Sequence, residues 1–186
     1  TLQRTKKPRV TLVSELAVSG NSNPERGPLS PAWVVYRLLS ERYQVEHLSP
    51  VGLSIPDDTD VLWVMHPRNW PADALRQVKQ YVESGRHAVI QVDPNAESVP
   101  VMSLSDSDLG NLYLGSGLEA LFGAWGIGFN PDQVVLDSKY AWLMQLDENQ
   151  FPKRNPALLS LPPQAMNQND PATAALDRIV LSSAGA

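Results

Sequence analysis

The stretch VLWVMHPRNWPADALRQVKQYVESGRHAVIQVDP, Val61–Pro94, reads as strand, helix and strand in succession. Val61–Met65 is a continuous apolar run closed by His66 and Pro67, the pattern of a strand covered on both faces. Pro71–Ser84 then sets Leu75, Val78 and Val82 at helical spacing, and Gly85 supplies the stop. His87–Val92 is apolar again and is expected to be a buried strand that runs into Asp93-Pro94. A strand, a crossover helix and a second strand make a parallel pair with a right-handed connection.

The same alternation extends toward the N-terminus. Arg9–Leu16 (RVTLVSEL) follows a proline and is rich in β-branched residues, which predicts a first central strand. Ala17–Ser30 collects Gly, Pro, Asn and Ser and reads as a loop. Pro31 is placed like the first residue of a helix with Ser30 as its cap, so an amphipathic helix is expected over Pro31–Arg42. Tyr43–Leu48 (YQVEHL) alternates as an edge strand does. The expected fold class is therefore α/β: a flavodoxin-like three-layer sandwich with a mostly parallel sheet.

Beyond Pro94 the periodicity weakens. Asn95–Gly117 reads as a long polar loop, and Leu118–Trp125 as a short helix ending near Gly126. Gln133–Asp137, Ala157–Leu161 and Ile179–Ser182 are expected strands, with Asp170-Pro171 capping a short helix over Ala172–Asp177.

The chain has 186 residues, 42% of them hydrophobic and 19% charged, with a formal charge of −5. One α/β domain over residues 1–186 accounts for that length. The acidic balance argues against nucleic acid as a partner, since phosphate contacts need clustered Lys and Arg. The one basic cluster, Arg4–Arg9, is expected to be a solvated lead-in. With no cysteine, a thiol nucleophile, a disulfide framework and a thiolate zinc site are all excluded. No apolar run approaches the roughly 20 residues that span a bilayer. The missing initiator methionine and the abrupt LSSAGA end lead us to expect a piece of a longer protein.

In open α/β sheets ligands gather beyond the carboxyl ends of the strands, which singles out Ser14 and Glu15 at the end of the first strand, His66 after the third, and Asp93 and Asn95 after the fourth. A His and a carboxylate there have the chemistry of an acid–base pair. A catalytic metal needs about three protein ligands, and His47 and His87 fall at strand positions expected to lie away from this crevice. Strand-end capping is the plainer reading of His66 and Asp93, with ligand binding between the two.

Other motifs are weak. Ser116 sits in GSG without the G-x-S-x-G elbow, and LGNLYLGSG is not a GxGxxG phosphate loop. Asp57, Asp58 and Asp60 lack EF-hand spacing and read as an acidic connector. Trp63, Trp33 and Trp125 are expected in the core, whereas Trp70 and Trp142 are the better candidates for exposed contacts.

Several segments in order carry a family resemblance: the KPRV strand, IPDDTDVLWVMHP (Ile55–Pro67), YVESG, HAVIQVDP, LEALFGAWGIGFNPDQVVLD (Leu118–Asp137) and the tail NPALLSLPPQAMNQNDPATAALDRIVLSSAG (Asn155–Gly185). Together they resemble the GldG-like auxiliary component of ABC-type transport systems related to gliding motility. The resemblance implies a fold similar to class I glutamine amidotransferases. It also implies anchorage in the cytoplasmic membrane through helices outside this chain, with this domain on the extracytoplasmic side, and permease and ATPase subunits as partners. Amidotransferases keep a nucleophilic cysteine on a tight turn after a central strand, and HAVIQV is the counterpart here. It leads into Asp93-Pro94-Asn95, with no thiol and no glycine between Gly85 and Gly110. The resemblance thus implies a non-catalytic domain without cofactor that binds a partner subunit or a ligand. The alternatives are an amidotransferase-like or hydrolase-like enzyme using His66 and Asp93, and a periplasmic receptor for a small molecule or glycan.

Overall fold

In a computed structural model of the chain, residues 6–26, 29–94, 116–130, 132–145 and 151–185 are described. The chain divides into two compact units, Thr1–Val92 with Ala96–Gly128 and Asp93–Asn95 with Phe129–Ala186.

The first unit is built on four parallel strands, β1 (Arg9–Val13), β2 (Gln44–Leu48), β3 (Val61–Met65) and β4 (His87–Gln91), in the spatial order β2-β1-β3-β4. Helix α1 (Val34–Arg42) joins β1 to β2 and α2 (Ala72–Glu83) joins β3 to β4. These two connections step in opposite directions along the sheet, so right-handed crossovers put the helices on opposite faces. This is the flavodoxin-like arrangement expected from the alternation of elements.

Side-chain alternation along the central strands builds the core. Val10, Leu12, Trp63 and Met65 share one face and cluster with Leu16 and Val18, while Trp33, Tyr36, Leu39 and Tyr43 close over them from α1 and its flanks. Thr11, Val13, Leu62 and Val64 point to the other face and are fully buried as well. That double coverage explains why β1 and β3 read as continuous apolar runs.

The ends of the sheet are held by polar contacts. Arg9 forms ion pairs with Glu46 and with Asp58 (2.7 Å), and its N–H donates to Asp60 Oδ2 at 2.7 Å. The Lys7 ammonium donates to the carbonyls of Ser40 and Glu41, in the last turn of α1, where a positive charge complements the helix dipole. Lys6 and Lys7 of the basic lead-in are exposed to solvent, as expected, and still make surface contacts. Gln77 of α2 accepts from Ile55 N–H and donates to Leu53 O, tying the β2–β3 connector to the helix.

Several boundaries depart from expectation for long-range reasons. Helix α1 begins at Val34, not Pro31, because Ser30 is engaged elsewhere: it exchanges two backbone hydrogen bonds with Asn21, at 2.9 and 3.0 Å. In α2 the buried stripe is Ala74, Val78 and Tyr81, one position off the predicted Leu75–Val78–Val82 face. Strand β4 is not buried. Among the described residues it is an edge strand whose His87, Val89 and Gln91 face is exposed, with Val89 50% accessible. A short helix α3 (Glu119–Ala124) lies within the predicted Leu118–Trp125 segment and ends before Gly126, whose φ of +71° suits a stop. Of the expected loop Asn95–Gly117, only Ser116 and Gly117 belong to the described residues.

The second unit contains an antiparallel sheet of β5 (Ala141–Met144), β6 (Lys153–Leu161) and β7 (Ile179–Ser182), ordered β5-β6-β7. Strand β5 escapes sequence reading because AWLM is too short to show a period. Ala141 pairs with Leu159 but Trp142 pairs with Asn155, so the register skips residues 156–158. Pro156 sits in that skip. A proline has no N–H for the ladder, and a bulge is where a central strand tolerates it. Gln133–Asp137 forms no strand, only an isolated bridge from Val134 to Gly185. The expected helix after Asp170 is a series of turns, in which Asp170 Oδ1 accepts from Ala172 N–H at 2.8 Å.

Candidate functional site

A cleft of about 540 Å³ opens beyond the carboxyl ends of β1 and β2. Its polar lining is Ser14, Glu15, Ser19, Asn21, His47 and Ser49, with Leu16, Ala17, Gly20 and Leu48 completing the wall. The volume falls within the range of small-molecule sites, roughly 300–1,000 Å³.

The residues after β1 form this wall because each turn of the chain is pinned. Ser14 N–H donates to Leu48 O at 3.2 Å, Ser14 Oγ donates to Met65 O at 2.9 Å, and the same Oγ accepts from Leu16 N–H at 3.1 Å. Ser14 thereby ties β1 to both of its neighbours in the sheet. Gly20 turns the chain back at φ +84°, a conformation that glycine adopts without strain. Glu15 projects as an exposed carboxylate.

His47 is the residue that sequence reading placed away from the site, and the structure puts it in the cleft wall. Its Nε2 lies 3.2 Å from Ser14 O, and its Nδ1 lies 2.8 Å from Ser19 Oγ. A carbonyl can only accept, so Nε2 carries the proton and Nδ1 accepts from the Ser19 hydroxyl. Burial holds the His47 pKa below its ordinary value of 6.5, partly offset by the bond to Ser14 O. The ring is thus the neutral clamp that holds loop residues 14–19 against β2. The alternation of YQVEHL does give the face of His47, but not the loop that folds back upon it.

This clamp has a pH signature. With its folded pKa depressed, His47 binds fewer protons folded than unfolded between the folded pKa and 6.5. Its contribution to stability is complete above about 6.5 and is lost as pH falls through that window to the folded pKa. Urea unfolding at pH 7.5 and pH 5 is therefore expected to show a loss of stability on acidification that His47→Gln diminishes. Equal pH dependence in the two proteins would show that the ring does not titrate this way.

The sequence-selected residues separate on this structure. Ser14 and Glu15 meet in the cleft. His66 is buried at the end of β3 in a left-handed conformation, φ 48°, and its Nδ1 lies 2.9 Å from Ser116 Oγ. The expected adjacency of β3 and β4 is present, and His66 N–H donates to Gln91 O at 2.9 Å. Asp93 belongs to the second unit. Asn95 lies outside the described residues. The serine and histidine of the 66–116 pair are both buried, Ser116 at 0% exposure. Trp70, one of the two tryptophans that the sequence marks as the better candidates for exposure, is packed in the interior at 6% exposure. Among the described residues no group of three or more His, Asp or Glu side chains is placed to hold a metal ion.

A parallel sheet ordered β2-β1-β3-β4, with a polar cleft at its carboxyl edge, defines a flavodoxin-like α/β fold. The chain belongs to the family described as an ABC-type uncharacterized transport system, whose model matches residues 7–186. It is accordingly an auxiliary component of an ABC-type transport system. No curated protein and no solved structure matches it.

Proposed function

We propose that this chain is the non-catalytic, extracytoplasmic domain of a GldG-like auxiliary subunit, with an amidotransferase-like fold, and that it binds a partner subunit or a ligand through its carboxyl-edge cleft. The observation that carries this reading is the family match over residues 7–186. Two features support it. The strand that corresponds to the amidotransferase nucleophile strand runs into Asp93-Pro94 without a thiol. The open cleft at Ser14 and Glu15 offers binding groups, and the Ser14–Met65 bond joins it to the end of β3, where His66 follows. Among the described residues no helix is long and apolar enough to cross a membrane; an anchor outside this chain is part of the proposal.

The full-length protein is expected to co-purify with an ATPase and a permease, and recovery of neither overturns the transport reading. This chain has no cysteine, so Lys79→Cys, in a protein whose other segments are kept free of cysteine, places one thiol on the exposed side of α2. In intact cells a membrane-impermeant maleimide should label it; protection until lysis would place the domain in the cytoplasm. Under the same reading His66→Ala and Asp93→Ala preserve transport wherever the protein still folds. Loss of transport by a folded Asp93→Ala protein with normal partner recovery would instead favour the enzyme reading.

A further inference from the structure

Residues 129–186 of the second unit contain four basic side chains, Lys139, Lys153, Arg154 and Arg178. All four lie on the β5-β6-β7 sheet or within two residues of it. In the first unit Lys6 and Arg9 pair with Asp58, Arg76 with Asp73 and Lys79 with Glu83, while Lys7 and Arg86 donate to backbone carbonyls. Among the described residues none of the four on this sheet forms an ion pair.

Two of them share a pocket of about 260 Å³. Lys139 and Arg154 line it together with Tyr140, Trp142 and Ser160, and no Asp or Glu is among its lining residues. Arg154 Nη1 donates to Ala141 O at 2.9 Å, which fixes the guanidinium across the β5–β6 pair without neutralising it. The Lys139 ammonium sits 4.8 Å above the Tyr140 ring, and the Arg178 guanidinium 5.7 Å from the Trp142 ring centre. Asp137 is the carboxylate nearest in sequence. Its Oδ1 accepts the backbone N–H groups of Lys139 and Tyr140, at 2.6 and 3.1 Å.

A guanidinium fork, an ammonium and a hydroxyl on one small pocket, with aromatic rings beside them, match an anion attached to an apolar body. Three kinds of donor suit a tetrahedral phosphoryl group, with its several oxygens, better than a planar carboxylate. We infer that the pocket between β5 and β6 binds a phosphate ester through Lys139 and Arg154. This chemistry has two sources, a soluble phosphate ester and a phospholipid headgroup.

The test titrates the isotopically labelled protein with glycerol 3-phosphate, and in parallel with vesicles of phosphatidylglycerol or of phosphatidylcholine. Saturable shifts confined to the backbone amides of residues 139–143, 154 and 160 are expected. Loss of one cation by Lys139→Gln should weaken binding about tenfold, the equivalent of roughly 1.4 kcal/mol. Arg154→Lys should retain more affinity than Arg154→Gln. Lys139 is the primary position because it is exposed and precedes the strand, whereas Arg154 also supports the pair. Lys79→Gln, in the first unit, removes the same charge and should leave binding unchanged. Binding of the soluble ester identifies the first source. Binding only to phosphatidylglycerol vesicles, with the same dependence on Lys139, identifies the second. Two results overturn the inference: no shift at those amides with any probe, or a loss with Lys79→Gln equal to that with Lys139→Gln.

Discussion

Replacing Gly20 with alanine is expected to destabilise the protein by about 2–4 kcal/mol and to disorganise the wall of the cleft. Two costs add. A side chain at φ +84° is strained by about 1–3 kcal/mol wherever it occurs. A Cβ at this position would also lie 2.7 Å from Ala32 N, 2.9 Å from Ser30 O and 3.0 Å from Pro31 C. All three are backbone atoms, so no rotamer change relieves the contact. Relief requires parting the two segments that meet in the Asn21–Ser30 bridge. Gly85 provides the control, because it has a similar φ of +80° but nothing within 4 Å of the added atom. Gly85→Ala should therefore cost only about 1 kcal/mol. Urea midpoints of the two variants measure the difference. Equal losses would mean that conformation alone, and not the close approach of residues 30–32, governs this turn.

The second large effect lies in the core. Leu12→Ala is expected to cost about 2–5 kcal/mol, since Leu12 is fully buried between Val10, Trp63 and Met65 under α1. The cavity cannot collapse easily, because β1 is paired to a strand on each side. Val89→Ala, at a position that sequence reading treats as equally buried, should fall within about 0.5 kcal/mol of the parent. Equilibrium unfolding of both variants tests the sheet order directly. A large loss at Val89 would mean that the β4 face is covered after all.

That comparison also marks how far the sequence is legible. β1 and β3 are readable because both faces are covered and the apolar run is unbroken. α2 is readable from Pro71 and Gly85 at its ends. β4 is only partly apolar, with His87 and Gln91 at its ends where β3 is VLWVM throughout, and its place at the edge of the described sheet depends on what stands beside it. That is a property of the sheet, not of HAVIQV. The start of α1 fails for a similar reason: Ser30 has the chemistry of a cap, yet it is spent on Asn21, nine residues earlier. At the cleft, Ser14 and Glu15 follow from the strand-end rule. His47 does not, because its role arises only once loop residues 14–19 fold back on β2. The pocket on β5 and β6 leaves no local signal either, since its cations are brought together by pairing across the strands.

The register skip at Pro156 divides β6 into two independently keyed segments. Residues 153–155 match only β5, whereas residues 158–161 match all of β7. A ladder interrupted in this way has one way to close, because sliding β5 would ask Pro156 for an N–H that it does not have. The end of the strand that carries Lys153 and Arg154 can thus change in composition while β7 keeps its alignment. The sheet has, in effect, a fixed half and an adaptable half.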